Sequence, residues 1–132
     1  MIFVDTGAWY ADFVNDDEYH SEARKFFVAG SPSAFLTTDY IVAEVLNLLT
    51  VRGYADRARE VVVDFFDVKL ARIEWVTRKD VERAREVFRQ FTDKRWSFTD
   101  CVSYAVIERL KIKKAFAFDN HFRQFGIVEV AP

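Results

Sequence analysis

The feature that most constrains this chain is its alternation of short apolar runs with longer amphipathic segments. Runs typical of buried strands occur at 1–4, 34–38, 72–76, 115–118 and 126–130. Helical spacing or helix-end signals mark 18–29, 40–51, 56–68, 79–91 and 98–110. Strands that alternate with helices need crossover connections, which favour a mainly parallel sheet covered on both faces. We therefore predict an α/β fold, a three-layer α/β/α sandwich.

Composition bounds the class of protein. The 132 residues are 51% hydrophobic with 4 Gly and 2 Pro, which predicts one folded domain over 1–132 and excludes a disordered chain. A lone cysteine, Cys101, excludes a disulfide scaffold and a zinc site built from several cysteines. No run of 18 apolar residues occurs anywhere in the sequence. The first residues also lack the basic segment that is typical of a leader peptide. We expect a soluble cytoplasmic protein with no membrane contact.

Charge is distributed unevenly along the chain. Residues 1–66 hold five Lys and Arg against 11 Asp and Glu, whereas residues 67–132 hold 14 against 10. A general polyanion binder would be basic throughout. Nucleic-acid binding stays compatible with this pattern if basic groups surround a cluster of acids, and the alternative is a simple solvated surface.

Four acidic residues from distant parts of the chain stand at predicted strand ends or in the helices that follow: Asp5, Glu44, Asp100 and Asp119. The carboxyl ends of parallel strands form one edge, where ligands bind. Each acid also has an ordinary explanation. Asp5 and Asp119 could be helix N-caps, Asp100 could complete a capping box, and Glu44 could be a solvated helix charge.

A cluster of carboxylates has a specific chemistry. Neighbouring carboxylates raise one another's pKa unless a cation joins them. All-oxygen sites select hard cations such as Mg²⁺ or Mn²⁺, and acids that hold such ions suit phosphodiester hydrolysis. His20 and His121 are too few and too far apart in sequence for an obvious histidine-based site.

Four stretches resemble the motifs of PIN-domain ribonucleases: 2–6, 38–47, 93–103 and 117–122. They occur in the family's order and span nearly the whole chain. The resemblance is strongest to the toxins of VapBC-type toxin–antitoxin pairs. It implies an α/β/α fold, one or two bound Mg²⁺ or Mn²⁺ ions, and RNA cleavage by a metal-activated water. It also implies a homodimer and a small antitoxin partner.

Residue roles follow from the same resemblance. The metal-binding and catalytic acids would be Asp5, Glu44, Asp100 and Asp119. Supporting side chains that orient acids, water or phosphate would be Thr6, Asn47, Thr99 and Ser103. The fourth acid varies most in the family, and Asn120 could share the role of Asp119. Asp93 is more simply a loop or cap residue.

Basic and aromatic residues offer possible RNA contacts. The basic set that follows the third predicted strand is Arg78, Lys79, Arg83, Arg85, Arg89, Lys94 and Arg95. These residues could track phosphates, or could pair locally with Glu82 and Glu86 on a solvated helix. Aromatic residues near predicted strand ends could stack on bases but are better explained as core: Trp9, Tyr10, Tyr40 and Trp96. Cys101 fits a small buried residue.

Other protein classes fit less well. A phospho-acceptor receiver domain needs an Asp after the third strand, where this chain has Thr77 and Arg78. A haloacid-dehalogenase phosphatase needs a second Asp two residues after Asp5, where Gly7 stands. A catalytically silent interaction module and a housekeeping RNA-processing nuclease stay open. The apolar residues 54, 61–63, 65 and 66 could form a partner surface, although core is the simpler interpretation.

Overall fold

Five parallel strands form one sheet in the structure, a computed structural model that describes all 132 residues. The strands are β1 (Ile2–Val4), β2 (Phe35–Thr38), β3 (Arg72–Glu74), β4 (Lys114–Phe116) and β5 (Glu129–Ala131). Their order across the sheet is β3-β2-β1-β4-β5. Phe3 of β1 lies level with Leu36 of β2 and Ala115 of β4. The carboxyl end of β1 is therefore central in the sheet.

Seven α-helices connect the strands. They are α1 (Thr6–Phe13), α2 (His20–Ala29), α3 (Asp39–Val51), α4 (Ala55–Phe66), α5 (Arg78–Gln90), α6 (Phe98–Leu110) and α7 (His121–Gln124). A 3-10 turn at Pro32–Ala34 leads into β2. None of these helices has the length and apolar character needed to cross a lipid bilayer.

Apolar side chains cover both faces of the sheet. Because successive residues of a strand point to opposite faces, and Phe3 lies level with Ala115, the rings of Phe3 and Phe116 lie on different faces. Phe116 stacks on Phe26 of α2 with ring centroids 3.7 Å apart. Phe3 meets Phe122 of α7 at 5.8 Å. The predicted α/β/α sandwich with a parallel sheet is confirmed.

Helix α1 was not predicted, because its sequence has no amphipathic stripe. Nearly every residue of the helix is buried, so apolar and small residues occur on all sides of it. Trp9 is 1% exposed and packs between Phe27 at 4.8 Å and Phe65 at 5.1 Å. This helix follows β1 at once and carries Asp5 at its beginning, so it positions the first acid of the site.

The predicted helices and strands are present, with ends shifted by at most three residues. The strand expected at 126–130 is Glu129–Ala131, and that expected at 72–76 ends at Glu74. Helix α3 ends as predicted just before Gly53, whose φ of +89° suits a residue without a side chain. The short helix α7 was missed, since a single turn leaves no periodic pattern.

Candidate active site

Asp5 follows β1 directly, at the middle of the sheet. Its backbone N–H donates to the carbonyl of Phe116 at 3.0 Å, which ties the end of β1 to the end of β4. Asp5 stands at the N-cap position of α1, but its side chain does not cap the helix. Because the residue is only 3% exposed, this is a buried carboxylate with no capping role. Asp5 therefore occupies the expected N-cap position, but capping does not account for its carboxylate.

The electrostatics of Asp5 connect the four predicted acids. Burial raises the pKa of the Asp5 carboxyl well above its ordinary value, and the negative charges of Asp119 and Asp100 raise it further. Glu44 adds a smaller effect of the same sign, while the N–H of Thr6 opposes it. Asp119, Asp100 and Glu44 therefore each lie within electrostatic reach of Asp5.

Asp100 is both a structural and a chemical residue. Its Oδ2 accepts from the N–H of Ser97 at 2.9 Å, and the Ser97 hydroxyl accepts from the N–H of Asp100 at 3.0 Å. This is the predicted capping box at the start of α6. The other carboxylate oxygen, Oδ1, accepts no hydrogen bond from the protein. Burial raises the pKa of Asp100, and this effect is larger than the lowering caused by the hydrogen bonds from Ser97 and His121.

His121 belongs to the site, although no sequence pattern predicted a role for it. Its ring Nδ1 lies 2.8 Å from Oδ2 of Asp100, and its backbone N–H donates to Oδ1 of Asp119 at 3.0 Å. Since an ionised carboxylate can only accept, the ring nitrogen is the donor. The ring contact could not be predicted from sequence, because 21 residues separate His121 from Asp100. The Asp-x-His spacing at Asp119 was the available signal, since Asp side chains commonly bond the backbone two residues on.

Glu44 and Asn47 lie one turn apart on α3 and line an open cavity of about 440 Å³. Thr99, the residue before Asp100, lines the same cavity. Glu44 is half-buried and makes no ion pair, so its carboxylate is free to bind a ligand. Asp39 lines this cavity too, but it accepts from the N–H of Val76 at 2.8 Å and holds the end of β3 in place.

Asp119 is placed differently from expectation. It does not end a strand, because β4 stops at Phe116 and Asp119 comes three residues later in an exposed turn. Its Oδ1 accepts from the N–H of His121, and its carbonyl accepts from Arg123 at 3.1 Å. These contacts hold the turn in a defined shape. The carboxylate still lies close enough to raise the pKa of Asp5.

Two of the predicted supporting residues carry hydroxyl groups that are buried and unpaired. Thr6 is 6% exposed and Ser103 is fully buried, and neither hydroxyl has a hydrogen-bond partner. Buried hydroxyls are usually satisfied, so each such group needs an explanation. Thr6 follows Asp5 directly and Ser103 lies one turn after Asp100, which places both beside the acids of the site.

The donor set has the chemistry of a hard-cation site but is not preassembled. All four side chains offer carboxylate oxygens, which Mg²⁺ and Mn²⁺ prefer. No group of three or more His, Cys, Asp or Glu side chains is already arranged to hold a metal ion. The raised pKa of Asp5 indicates that a cation would relieve the repulsion among these groups. The chemistry of the four side chains therefore fits a divalent ion.

The predicted RNA-contact residues divide between the two ends of α5. Arg109 in the last turn of α6 donates to Asp80 in the first turn of α5 at 2.8 and 2.9 Å. Phe88 near the end of α5 meets Phe98 at the start of α6, with ring centroids 5.9 Å apart. The two helices are therefore antiparallel, and the end of α5 lies beside the start of α6, where Asp100 is.

Distance from Asp100 separates the basic side chains. Those at the near end are Arg89, Lys94 and Arg95, with Arg85 one turn earlier. Arg78 and Lys79 lie at the far end, about 15 Å away along the helix axis. Local pairing, the alternative interpretation, is confirmed for Arg78 with Glu82 at 3.5 Å and for Arg83 with Glu86 at 3.0 Å.

Most of the aromatic candidates are core residues, as the simpler interpretation had it. Trp9, Tyr10 and Trp96 are each at most 7% exposed. Tyr40 is half-buried and lines the cavity beside Glu44. Cys101 is buried as predicted, and burial together with the charge of Asp100 raises the pKa of its thiol to about 11. It is not a nucleophile at neutral pH.

The apolar segment at the end of α4 is divided between core and surface. Val61 and Phe65 are buried, which confirms the core interpretation for those two. Val63 and Phe66 are 54% and 48% exposed, so that interpretation is wrong for them. Phe66 lies 6.2 Å from Trp75, which is also exposed. Asp93, expected to be a loop residue, lies exposed beside Lys94.

The parallel sheet and the acids at its centre restrict the class of protein to which this chain can belong. A comparison with protein-family models identifies the family. The family model described as PIN domain matches residues 2–128. The chain belongs to the PIN domain family, as the resemblance of its four motifs predicted. Membership excludes the receiver and haloacid-dehalogenase alternatives. The family is generally dependent on divalent metal ions.

Individual relatives narrow the class further. The chain is 33% identical to the 23S rRNA-specific endonuclease VapC20 of Mycobacterium tuberculosis strain H37Rv, over 100% of this chain and 99% of that protein. The protein of the same name from strain CDC 1551 / Oshkosh matches equally. The crystal structure of M. tuberculosis VapC20, described as a sarcin-ricin loop cleaving toxin, superposes with a TM-score of 0.91 at 30% identity over 100% of both chains.

A second solved structure shares the fold at lower similarity. A toxin–antitoxin complex from Klebsiella pneumoniae matches with a TM-score of 0.68 and 15% identity, over 100% of this chain and 97% of that chain. Taken together, the family and the VapC20 relatives confirm the predicted enzyme class, a PIN-domain endonuclease of the VapC toxin kind.

Proposed function

We propose that this chain cleaves a structured loop of ribosomal RNA as the toxin of a toxin–antitoxin pair. The RNA class is supported by the relatives, one named a 23S rRNA-specific endonuclease and one described as a sarcin-ricin loop cleaving toxin. The observation that best supports the catalytic proposal is the environment of Asp5. This buried carboxylate caps no helix, and its pKa is raised by burial and by the charges of three other acids.

In this proposal all four carboxylates take part in binding a divalent ion, with different roles. Asp5 and Asp100 hold the principal ion, and Glu44 and Asp119 complete its surroundings, partly through water. Hydrogen bonds from Ser97 and His121 hold Oδ2 of Asp100, which leaves Oδ1 for the ion. The supporting side chains orient acids, water or phosphate: Thr6, Asn47, Thr99 and Ser103.

The ion would be Mg²⁺ or Mn²⁺, in one or two copies. When bound, it would lower the pKa of the attacking water and stabilise the negative charge that develops on the phosphate. Since water attacks rather than the ribose 2′-hydroxyl, the products should carry a 5′-phosphate and a 3′-hydroxyl. Analysis of the product ends tests this part of the proposal separately.

Phosphate contacts and protein partners complete the proposal. The basic side chains at the near end of α5, together with Lys94 and Arg95, contact the RNA backbone. A small antitoxin neutralises the enzyme, and two copies of the chain form a homodimer, as the resemblance to VapBC-type toxins implies. A cytoplasmic location accords with a ribosomal substrate.

The test is cleavage of end-labelled RNA by purified protein with Mg²⁺, with Mn²⁺ and with EDTA. The substrate is a hairpin that carries the sarcin-ricin loop, and an unrelated hairpin of equal length is the control. We expect metal-dependent cutting of the first hairpin, abolished in Asp5→Asn and in Asp100→Asn. Asp93→Asn is the matched control, because Asp93 is an exposed acid near Asp100 in sequence.

The outcomes separate the remaining alternatives. Cutting that persists in EDTA or in both site variants would contradict the proposed site. Absence of cutting together with absence of Mn²⁺ binding, in folded wild-type protein, would favour a catalytically silent interaction module. Equal cutting of both hairpins would contradict the proposed substrate and favour a general RNA-processing nuclease.

A further inference from the structure

A second cavity lies beside Asp119 and shares no lining residue with the cavity of Glu44. It has a volume of about 340 Å³ and is open to solvent. Asp119 contributes to its wall, so the cavity borders the acids directly. Apart from Leu48, the side chains that line it are aromatic, basic or acidic, and the catalytic proposal uses none of them except Asp119. Such a cavity is placed to receive a part of the substrate next to the bond that is cut.

One wall of the cavity is an exposed aromatic surface. The rings of Tyr19 and Phe118 are stacked, with centroids 4.5 Å apart and planes within 6° of parallel. Tyr19 is 39% exposed, unlike the aromatic residues of the core. Both rings line the cavity. Unstacked bases of single-stranded or looped RNA bind by stacking on such rings.

Arg52 supplies a positive charge at the same cavity. Its guanidinium lies over the ring of Tyr10, 4.9 Å from the ring centroid. It has no carboxylate partner, whereas the other three arginines of residues 1–66 are each in an ion pair. These are Arg24, Arg57 and Arg59. An unpaired guanidinium held against an aromatic ring beside a nuclease site is suited to a phosphate oxygen.

Two further acids at the cavity offer acceptors for a base. Oδ1 of Asp17 accepts from the N–H of Tyr19 at 2.9 Å, and its other oxygen has no hydrogen bond. Glu18 is exposed and makes no ion pair. Carboxylates only accept hydrogen bonds, so they match base edges that carry N–H donors. Among the four RNA bases, guanine presents two adjacent donors on its Watson–Crick edge, N1–H and N2–H.

We propose that this cavity binds an unpaired guanosine nucleotide of the RNA next to the cleaved bond. Its base stacks on Tyr19, its N1–H and N2–H donate to Asp17 or Glu18, and a phosphate oxygen contacts Arg52. The inference rests on the proposed RNA cleavage and adds to it a residue-level source of sequence preference. It also requires that the RNA extend from the acids toward α2 and the end of α3.

The first experiment replaces each guanosine near the cleavage site by inosine, which lacks only the N2 amino group. We expect one position at which the substitution lowers kcat/KM about tenfold, the usual size of one lost base contact. Glu18→Gln combined with Asp17→Asn should cut the guanosine substrate more slowly and should no longer distinguish it from the inosine substrate.

The second experiment measures RNA binding without cleavage, by fluorescence anisotropy of the labelled hairpin in EDTA. Tyr19→Leu and Arg52→Gln should each raise Kd about tenfold. Tyr19→Phe should bind as wild type, because it keeps the ring. Arg59→Gln is the control for Arg52, since Arg59 is an exposed arginine that does not line the cavity. Thermal melting of each variant shows whether Tyr19→Leu keeps the fold.

The results distinguish failure of this inference from failure of the proposed function. If wild-type protein does not cut RNA, the proposed function fails and this inference with it. If wild-type protein cuts RNA but is indifferent to inosine at every position, or if folded Tyr19→Leu and Arg52→Gln bind as wild type, the guanosine site is overturned while the nuclease stands.

Discussion

His121 donates from its ring Nδ1 to Oδ2 of Asp100 at 2.8 Å, and so joins the last two motifs of the chain. The same residue donates its backbone N–H to Asp119. One side chain and its amide thus hold two of the four acids. Partners of this kind orient carboxylates toward a metal ion. His121 is a positioning residue, since it acts through Asp100.

Removing the imidazole of His121 should weaken the metal site without unfolding the protein. We expect His121→Ala to lower Mn²⁺ affinity and kcat/KM roughly 10–100-fold, the usual cost of losing such a partner. His121→Asn should recover much of the loss, because an Asn amide nitrogen can occupy the place of Nδ1. Isothermal titration with Mn²⁺ and RNA cleavage measure the two effects. Equal Mn²⁺ affinity in the Ala variant and in wild type would contradict the positioning role.

Asp5 should destabilise the metal-free protein at neutral pH. Burial and neighbouring charges raise the pKa of its carboxyl in the folded protein. A group with a higher pKa in the folded than in the unfolded state favours folding at low pH, and that advantage is lost as the pH rises through the folded pKa. Asp5→Asn should therefore be more stable than wild type at about pH 8, by on the order of 1 kcal/mol, although we expect it to be inactive.

Chemical denaturation in EDTA at about pH 5 and about pH 8 checks this expectation. The stability difference between Asp5→Asn and wild type should grow with pH. Added Mn²⁺ should then raise the melting temperature of wild type more than that of the variant, because the ion binds the native acids. A variant that is less stable than wild type at both pH values would show that Asp5 has a structural role.

The fold could be predicted from sequence because it depends on local patterns, and local patterns also pointed to the candidate acids. The short apolar run at 1–4, which Asp5 follows, predicts a buried strand with a carboxylate at its end. The capping box of Ser97 and Asp100 is likewise a contiguous signal. In contrast, α1 was missed because burial on all its sides removes the helical stripe. Burial of that kind is a property of the packed fold and leaves no periodicity in sequence.

The contacts that tune the site are long-range, and sequence alone did not supply them. The bond between His121 and Asp100 requires α6 and α7 to pack together. The division of the basic residues between two ends of α5 requires the antiparallel pairing of α5 with α6. Asp119 was expected at the end of a strand, but the β4–β5 pairing ends at Phe116 and leaves it in a turn. Each of these depends on how elements dock.

The ion pair between Arg109 and Asp80 should contribute to the stability of the α5–α6 pair. Asp80 is 2% exposed. Although burial alone would raise the pKa of Asp80, hydrogen bonds from Arg109 and Thr77 hold it below its ordinary value. Its stabilising effect is therefore present above the unfolded pKa and is lost as the pH falls through the folded pKa. Arg109→Gln should lower the free energy of unfolding by about 2 kcal/mol at neutral pH.

Arg83→Gln is the control for Arg109→Gln. Arg83 also bridges α5 and α6, through Glu108 at 2.9 Å, but both side chains of that pair are substantially exposed. Its loss should cost about 0.5 kcal/mol or less. Urea denaturation of both variants gives the comparison. If both variants lose the same free energy of unfolding, burial of Asp80 does not strengthen the contribution of its ion pair to stability.

The position of basic side chains along α5, rather than their number, should decide their effect on RNA cleavage. Arg89 and Arg95 lie near Asp100, whereas Arg78 and Lys79 lie about 15 Å farther along the helix. We expect Arg89→Gln with Arg95→Gln to lower kcat/KM roughly tenfold at low salt and to flatten its dependence on salt concentration. Arg78→Gln with Lys79→Gln removes the same charge and should change kcat/KM less than about twofold. Cleavage of the labelled hairpin over a series of KCl concentrations measures both. Equal effects of the two double variants would indicate long-range attraction by net charge instead of phosphate contacts beside the acids.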